Sequence, residues 1–170
     1  GGSGDEGGGA TAVDSNGIIH FTGTTNSPDF PTMRPIQPRP GGGNCGSPVR
    51  PCYDAFVAGF SSDGSGLLYS TYLGGSGDEN CVDACGAMGL DGRGNVYISG
   101  YTSSTDFPTA NALQPGLYPG NCGTPPVACS DGFIASLTAD GQDLLFSTYL
   151  GGSGDDIIWD ARVGLSGDVY

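Results

Sequence analysis

Cysteines, a single histidine and recurring paired acids are the residues in this 170-residue sequence able to cross-link, react or bind ions. Six cysteines occur. Asn44-Cys45-Gly46 precedes Cys52, and Asn121-Cys122-Gly123 precedes Cys129 at the same interval, so one loop is written twice. That repetition pairs Cys45 with Cys52 and Cys122 with Cys129 as local disulfides. Cys81 and Cys85 arrive together in a short insertion and are paired with each other. Six cysteines allow fifteen connectivities, and repetition alone selects this one. The spacing lacks the Cys-x-x-Cys of zinc sites and the Cys-x-x-Cys-His of c-type haem attachment. Closing a loop of about eight residues stabilises by roughly 2–3 kcal/mol in chain-entropy terms. Such closure would pin the Pro-rich inserts 33–49 and 110–128, and it requires an oxidising, hence extracellular, setting.

His20 is the only histidine, and the equivalent positions in the repeats described below hold Tyr97 and Tyr170. A position that accepts tyrosine reads as strand packing and not as a base, which removes Ser-His-Asp and Cys-His catalysis from this stretch. Asp5/Glu6, Asp78/Glu79 and Asp155/Asp156 each follow a Gly-Gly-Ser-Gly. A glycosidase needs one pair of carboxylates facing one cleft. Recurrence in every repeat points instead to a shared structural task such as capping turn amides. The turns at Asp63, Asp91 and Asp140 resemble calcium loops, but none has the alternating oxygen ligands of the twelve-residue pattern. Gly-Gly-Ser-Gly lacks the Lys-Ser/Thr of a phosphate loop. No catalytic residue, cofactor site or metal site is therefore assigned, with calcium the one cofactor left open.

Eighteen acidic residues against five arginines and no lysine give a net charge of −13. Phosphate backbones and anionic membrane surfaces are repelled by such a chain, so nucleic-acid partners are excluded. No apolar run approaches the roughly 20 residues of a membrane span.

The elements that must carry these residues come in repeats. Ser-Thr-Tyr-Leu-Gly-Gly-Ser-Gly-Asp occurs at 70–78 and 147–155, and Asp-Phe-Pro-Thr at 29–32 and 106–109. The frames are 1–73 and 74–150, with 151–170 opening a third. The second frame is four residues longer than the first, and the extra residues lie near 80–85. In the first frame, β-branched and aromatic runs at 10–14, 18–24, 55–60 and 67–73 read as four strands. Asp-Ser-Asn-Gly and Ser-Asp-Gly turns separate them. No sustained 3.6-residue period predicts a helix. The expected fold class is all-β: four-stranded antiparallel blades of a β-propeller-type repeat, with disulfide-pinned loop insertions. One such sheet cannot bury both faces, so blades must stack.

Ala-Val-Asp-Ser-Asn-Gly (12–17), Thr-Gly-Thr-Thr (22–25), Asp-Phe-Pro-Thr, Asp-Ala-Phe-Val-Ala (54–58) and Leu-Tyr-Ser-Thr-Tyr-Leu-Gly-Gly-Ser-Gly-Asp (68–78) resemble the bacterial SBBP-type β-propeller repeats. The resemblance implies a propeller fold and large secreted or cell-surface proteins. It implies no reaction and no catalytic residues. The Cys-bearing inserts depart from the pattern.

The expectation is an extracellular structural or adhesive repeat protein, part of a longer array, in a cell-surface or filamentous assembly. Its partners are proteins, with self-assembly through strand edges and through inserts projecting from one edge. The alternatives are a secreted propeller binding glycan or calcium, and a non-catalytic part of a secreted enzyme. Trp159 is expected between blades.

Overall fold

The computed structural model describes residues 1–80, 88–122 and 129–170. These residues form strands, turns and loops and contain no helix. In chain order the strands are β1 (Glu6–Val13), β2 (Ile19–Thr25), β3 (Asn44–Cys45), β4 (Arg50–Pro51), β5 (Asp54–Phe60), β6 (Leu67–Leu73), β7 (Glu79–Asn80), β8 (Met88–Leu90), β9 (Val96–Thr102), β10 (Asp131–Leu137) and β11 (Leu144–Leu150).

Two antiparallel sheets carry the molecule. The first has the order β1-β2-β5-β6, and the second the order β11-β10-β9 with β7 and β8 both paired to β9. Each main strand reaches the next by a short connection, except where the insert separates β2 from β5 and β9 from β10. Turn chemistry sets the hairpins. At Asp14, Asp91 and Thr138 the residue's carbonyl accepts the amide of a glycine three positions on, at 2.8–3.0 Å. Those glycines, Gly17, Gly94 and Gly141, have φ of +80°, +82° and +67°, a conformation that costs a side-chain-bearing residue energy. The Asp14 carboxylate closes its turn by accepting from the amides of Asn16 and Ile18.

The first strand begins at Glu6, earlier than the sequence pattern predicts. Gly7, Gly8 and Gly9 have little strand propensity, but Glu6, Gly7 and Gly8 pair with Thr25, Thr24 and Gly23 before the register shifts between Gly8 and Thr11. The second frame carries its four extra residues at this bulge. Glu79 still pairs with Thr102 and Leu90 with Val96, so one strand becomes β7 and β8 while the register on β9 is kept. Cys81 and Cys85, paired on sequence grounds, lie outside the described residues.

The core lies between the two sheets. Ala55, Val57, Tyr69 and Leu73 from the first sheet cluster with Ile98, Phe107, Phe133, Ala135 and Leu137 from the second. Alternation with a period of two puts one face of β10 here. The inserts cover the sheets' outer edges: Met33 and Ser70 exchange a pair of backbone hydrogen bonds, as do Ala110 and Ser147. Asp-Phe-Pro-Thr has a physical role. The amide of Phe30 donates to the Tyr72 hydroxyl, which donates to the Ser27 carbonyl, and Phe107, Tyr149 and Ser104 repeat the arrangement. The Phe30 ring lies 4.5 Å from that of Phe56, and Phe107 lies 4.6 Å from Phe133.

The third frame opens with a hairpin in which Val163 pairs with Val169, the register of Val13 with Ile19. Trp159 does not lie between sheets: it is 64% exposed, because no described strand packs over the segment that carries it.

Candidate functional site: the junction between repeats

The site is built where one frame hands over to the next. Gly-Gly-Ser-Gly-Asp-Glu stands at both 1–6 and 74–79, and it folds the same way twice. The Ser76 amide and hydroxyl donate to Asp106 Oδ1 at 2.7 and 2.9 Å, and those of Ser3 to Asp29 Oδ1 at 2.7 and 2.8 Å. The amide of Gly77 donates to Ser104 Oγ and that of Gly4 to Ser27 Oγ, both at 2.7 Å. Glu79 accepts from the Gly75 amide and from the hydroxyls of Thr102 and Ser104. Glu6 accepts from the Gly2 amide and from the hydroxyls of Thr25 and Ser27. The recurring acids therefore cap turn amides and tie the opening turn to the second strand of its own frame.

The disulfide loop of one frame docks onto this turn of the next. Cys45 is bonded to Cys52 and Cys122 to Cys129, with Cα separations of 4.9 and 5.0 Å. The Cys52 sulfur lies 3.4 Å from the Ser76 carbonyl oxygen, and the Cys129 sulfur 3.3 Å from that of Ser153. The Tyr53 amide donates to Asp78 Oδ1 at 2.8 Å, and the Glu79 amide to the Tyr53 carbonyl at 2.7 Å. Ser130, Asp155 and Asp156 repeat both bonds at 2.8 and 2.7 Å. A β-carbon on Gly43 would overlap the Ser76 carbonyl oxygen, so only glycine permits this approach. Arg50 then forks onto Asp78 at 2.9 and 3.1 Å while its guanidinium sits 4.3 Å above the Tyr53 ring. The described ends of the inserts, expected from sequence to project from one edge, fold back and clamp the following frame.

Behind the clamp two carboxyl groups are fully buried. Glu79 and Asp54 are both 0% exposed. Burial pushes Glu79 up to about 8, against the hydrogen bonds from Ser104 and Thr102, with Asp54 adding to the rise. Burial also pushes Asp54 up to about 7, opposed by the Gly41 amide and reinforced by Asp106 and Asp78. Asp54 Oδ1 has no hydrogen-bond partner, and neither does its counterpart Asp131 Oδ1. Glu6 behaves oppositely. What little burial it has raises its pKa, but the bonds from Ser27, Thr25 and Gly2 outweigh that and hold it below its ordinary value.

His20 is buried in the ladder. It shares a 2.7 Å hydrogen bond with the Tyr69 hydroxyl, and burial holds its pKa down against the pull of Asp14. The Asp63 turn is satisfied locally by Ser61 and Ser65, and that of Asp140 by Thr138 and Gln142. Cys45, Cys52 and Asp78 converge, as do Cys122, Cys129 and Asp155, but their sulfurs are spent in disulfides and offer no thiolate to a metal. A cleft of about 490 Å³ opens beside the clamp, lined among others by Asp5, Glu6, Arg50, Tyr53, Asn80 and Tyr101. Sequence reading missed Arg50, Tyr53 and Asp54 as a unit. Their signal was adjacency to Cys52 and the recurrence of Asp before the third main strand.

Fold and site together define an all-β protein of antiparallel sheets arranged as sequence repeats. Residues 68–108 match the SBBP family, a beta-propeller repeat; the matched stretch runs from β6 through the 74–79 turn to the Asp-Phe-Pro of the second frame. No curated protein matches the chain. Among the described residues no helix is long and apolar enough to cross a membrane, and the disulfides are compatible with an extracellular setting.

Proposed function

We propose that this chain is an extracellular structural repeat protein, non-catalytic, whose propeller-type blades form a rigid scaffold in a cell-surface or filamentous assembly with adhesive contacts. The observation that carries this reading is the clamp. Each disulfide loop is bonded to the next repeat, so the geometry repeated in both frames serves to join repeats in series. Buried aromatic pairs and face-to-face sheets add stiffness of the kind a scaffold needs. Electron microscopy of native material tests it. Filaments or surface arrays carrying this chain are expected, and isolated monodisperse particles would overturn the assembly reading.

The cleft beside the clamp favours a second reading, a secreted propeller that binds glycan or calcium. Its polar and aromatic lining suits either. A glycan array and a calcium titration of thermal stability decide it; no hit and no shift would dispose of it.

A further inference from the structure

The two frames differ where a pair of rings meets across each sheet. In the second frame the pair is Tyr97 and Phe146, with ring centroids 6.2 Å apart. In the first frame the equivalent positions hold His20 and Tyr69, 5.9 Å apart. Tyr97 and Phe146 show what packing alone requires here, and it requires no imidazole. The first frame adds polar atoms and links them. His20 Nδ1 and the Tyr69 hydroxyl share a 2.7 Å hydrogen bond. His20 Nε2 faces Asp14 Oδ2 at 3.9 Å, with the two side chains 0% and 3% exposed. This buried Nε2 has no hydrogen-bond partner. The 3.9 Å gap is too long for a hydrogen bond. It is right for one shared ion, because zinc lies about 2.0–2.1 Å from an imidazole nitrogen and about 2.0–2.2 Å from a carboxylate oxygen.

We propose that His20 Nε2 and Asp14 Oδ2 hold a divalent transition-metal ion of the zinc, nickel or copper kind. Asp14 lines a cleft of about 200 Å³, from which water completes the coordination. Both frames wall this cleft: Asn16, Arg34 and Tyr69 from the first, Ala139 and Asp140 from the second. Gly141 of the second frame lies so close to the Tyr69 ring that a β-carbon there would overlap it. Two carboxylates, Asp14 and Asp140, outnumber the single Arg34 guanidinium, which is engaged with the Leu68 carbonyl at 2.7 Å. Asp14 can bind and still hold its turn, since Oδ1 takes the amides of Asn16 and Ile18 and Oδ2 remains for the ion. Its counterpart Asp91 spends both oxygens on Arg93 and Asn95. Burial holds the His20 pKa down, so the ring offers the neutral form a metal needs. Donation from Nδ1–H to the Tyr69 hydroxyl leaves the Nε2 lone pair for the ion and fixes the ring's orientation. An imidazole with one carboxylate suits these metals, whereas calcium takes six to eight oxygens.

The site is independent of both readings of function. Its test is zinc ion titrated calorimetrically into the 170-residue chain at neutral pH, followed in parallel by nitrogen NMR of the imidazole. His20 is the only histidine, so its ring signals are unambiguous. One saturable site is expected, with the Nε2 signal shifting while Nδ1–H stays bonded to Tyr69. His20→Tyr, which installs the residue the second frame uses, should remove that site. Tyr69→Phe should weaken binding about ten-fold, the loss expected when the group orienting a metal-binding histidine is deleted. Calcium should leave Nε2 unmoved, and a shift driven by calcium would overturn the class of metal. The NMR of the unaltered chain decides the matter even where a variant fails to fold. No saturable binding, binding that His20→Tyr leaves unchanged, or an Nε2 signal that zinc does not move overturns the proposal.

Discussion

At the scale of single residues, burial decides chemistry that composition cannot. Glu6 and Glu79 follow the same five residues in sequence and have equivalent hydrogen-bond donors, yet their pKa values move in opposite directions. Water reaches one and a neighbouring frame covers the other. Glu79 holds its proton up to about pH 8 when folded, against an ordinary value of 4.5. The folded state therefore binds more protons than the unfolded chain across that window. Stability from this group is full below about pH 4.5 and is lost as pH rises through about 8. Asp54, facing the same junction and pushed to about 7, acts in the same direction. At the acid end Asp29, Asp63 and Asp106 have lowered pKa values, so their contribution disappears as pH falls below the ordinary carboxylate range. The melting temperature should fall from pH 5 to pH 8. In Glu79→Gln that slope should shrink, with Asp54 supplying the remainder. An unchanged slope in the variant would show that Glu79 does not titrate in this window. Arg50→Ala, by contrast, removes a partly exposed pair and should cost at most about 1 kcal/mol in denaturant unfolding.

At the scale of elements, the disulfide loop is a clamp because its rigidity is used against another frame. Reducing the bonds frees loops of about eight residues and should cost roughly 2–3 kcal/mol per bond in chain-entropy terms. Cys52→Ser should also raise hydrogen exchange at the amides of Tyr53 and Glu79, because these bond across the clamp to Asp78 and to the Tyr53 carbonyl and the loop loses its hold. Exchange unchanged at those amides would mean that the loop stays docked without its bond. The main strands were legible in the sequence because alternation, β-branched residues and Asn-Gly or Asp-Gly turns are local signals. The start of β1 was not, since Glu6, Gly7 and Gly8 pair only because Thr25, Thr24 and Gly23 lie opposite. Nor was the docking of the inserts, which depends on residues some 25 positions away in the next frame.

At the scale of the whole molecule, stability is unevenly shared between sheet faces. Leu137 is buried between the two sheets, while Phe60 at the equivalent position of the first frame is only half-buried on the opposite, open face. That open face forms a groove of about 360 Å³ lined by Phe21, Phe30, Phe56, Phe60 and Leu67. Leu137→Ala should cost about 2–5 kcal/mol. Phe60→Ala should cost less than half as much despite removing a larger side chain. Equal costs by urea unfolding would mean that the open face is covered in solution.

The sequence by itself determined the repeats, the all-β strands, the turn residues and the logic that pairs Cys45 with Cys52 and Cys122 with Cys129. These follow from local periodicity and from one pattern being written more than once. Folding in three dimensions is what sets the inserts onto the next frame and buries Glu79 and Asp54 behind them. Each depends on which surfaces meet across the junction between frames, and no spacing along the chain records that.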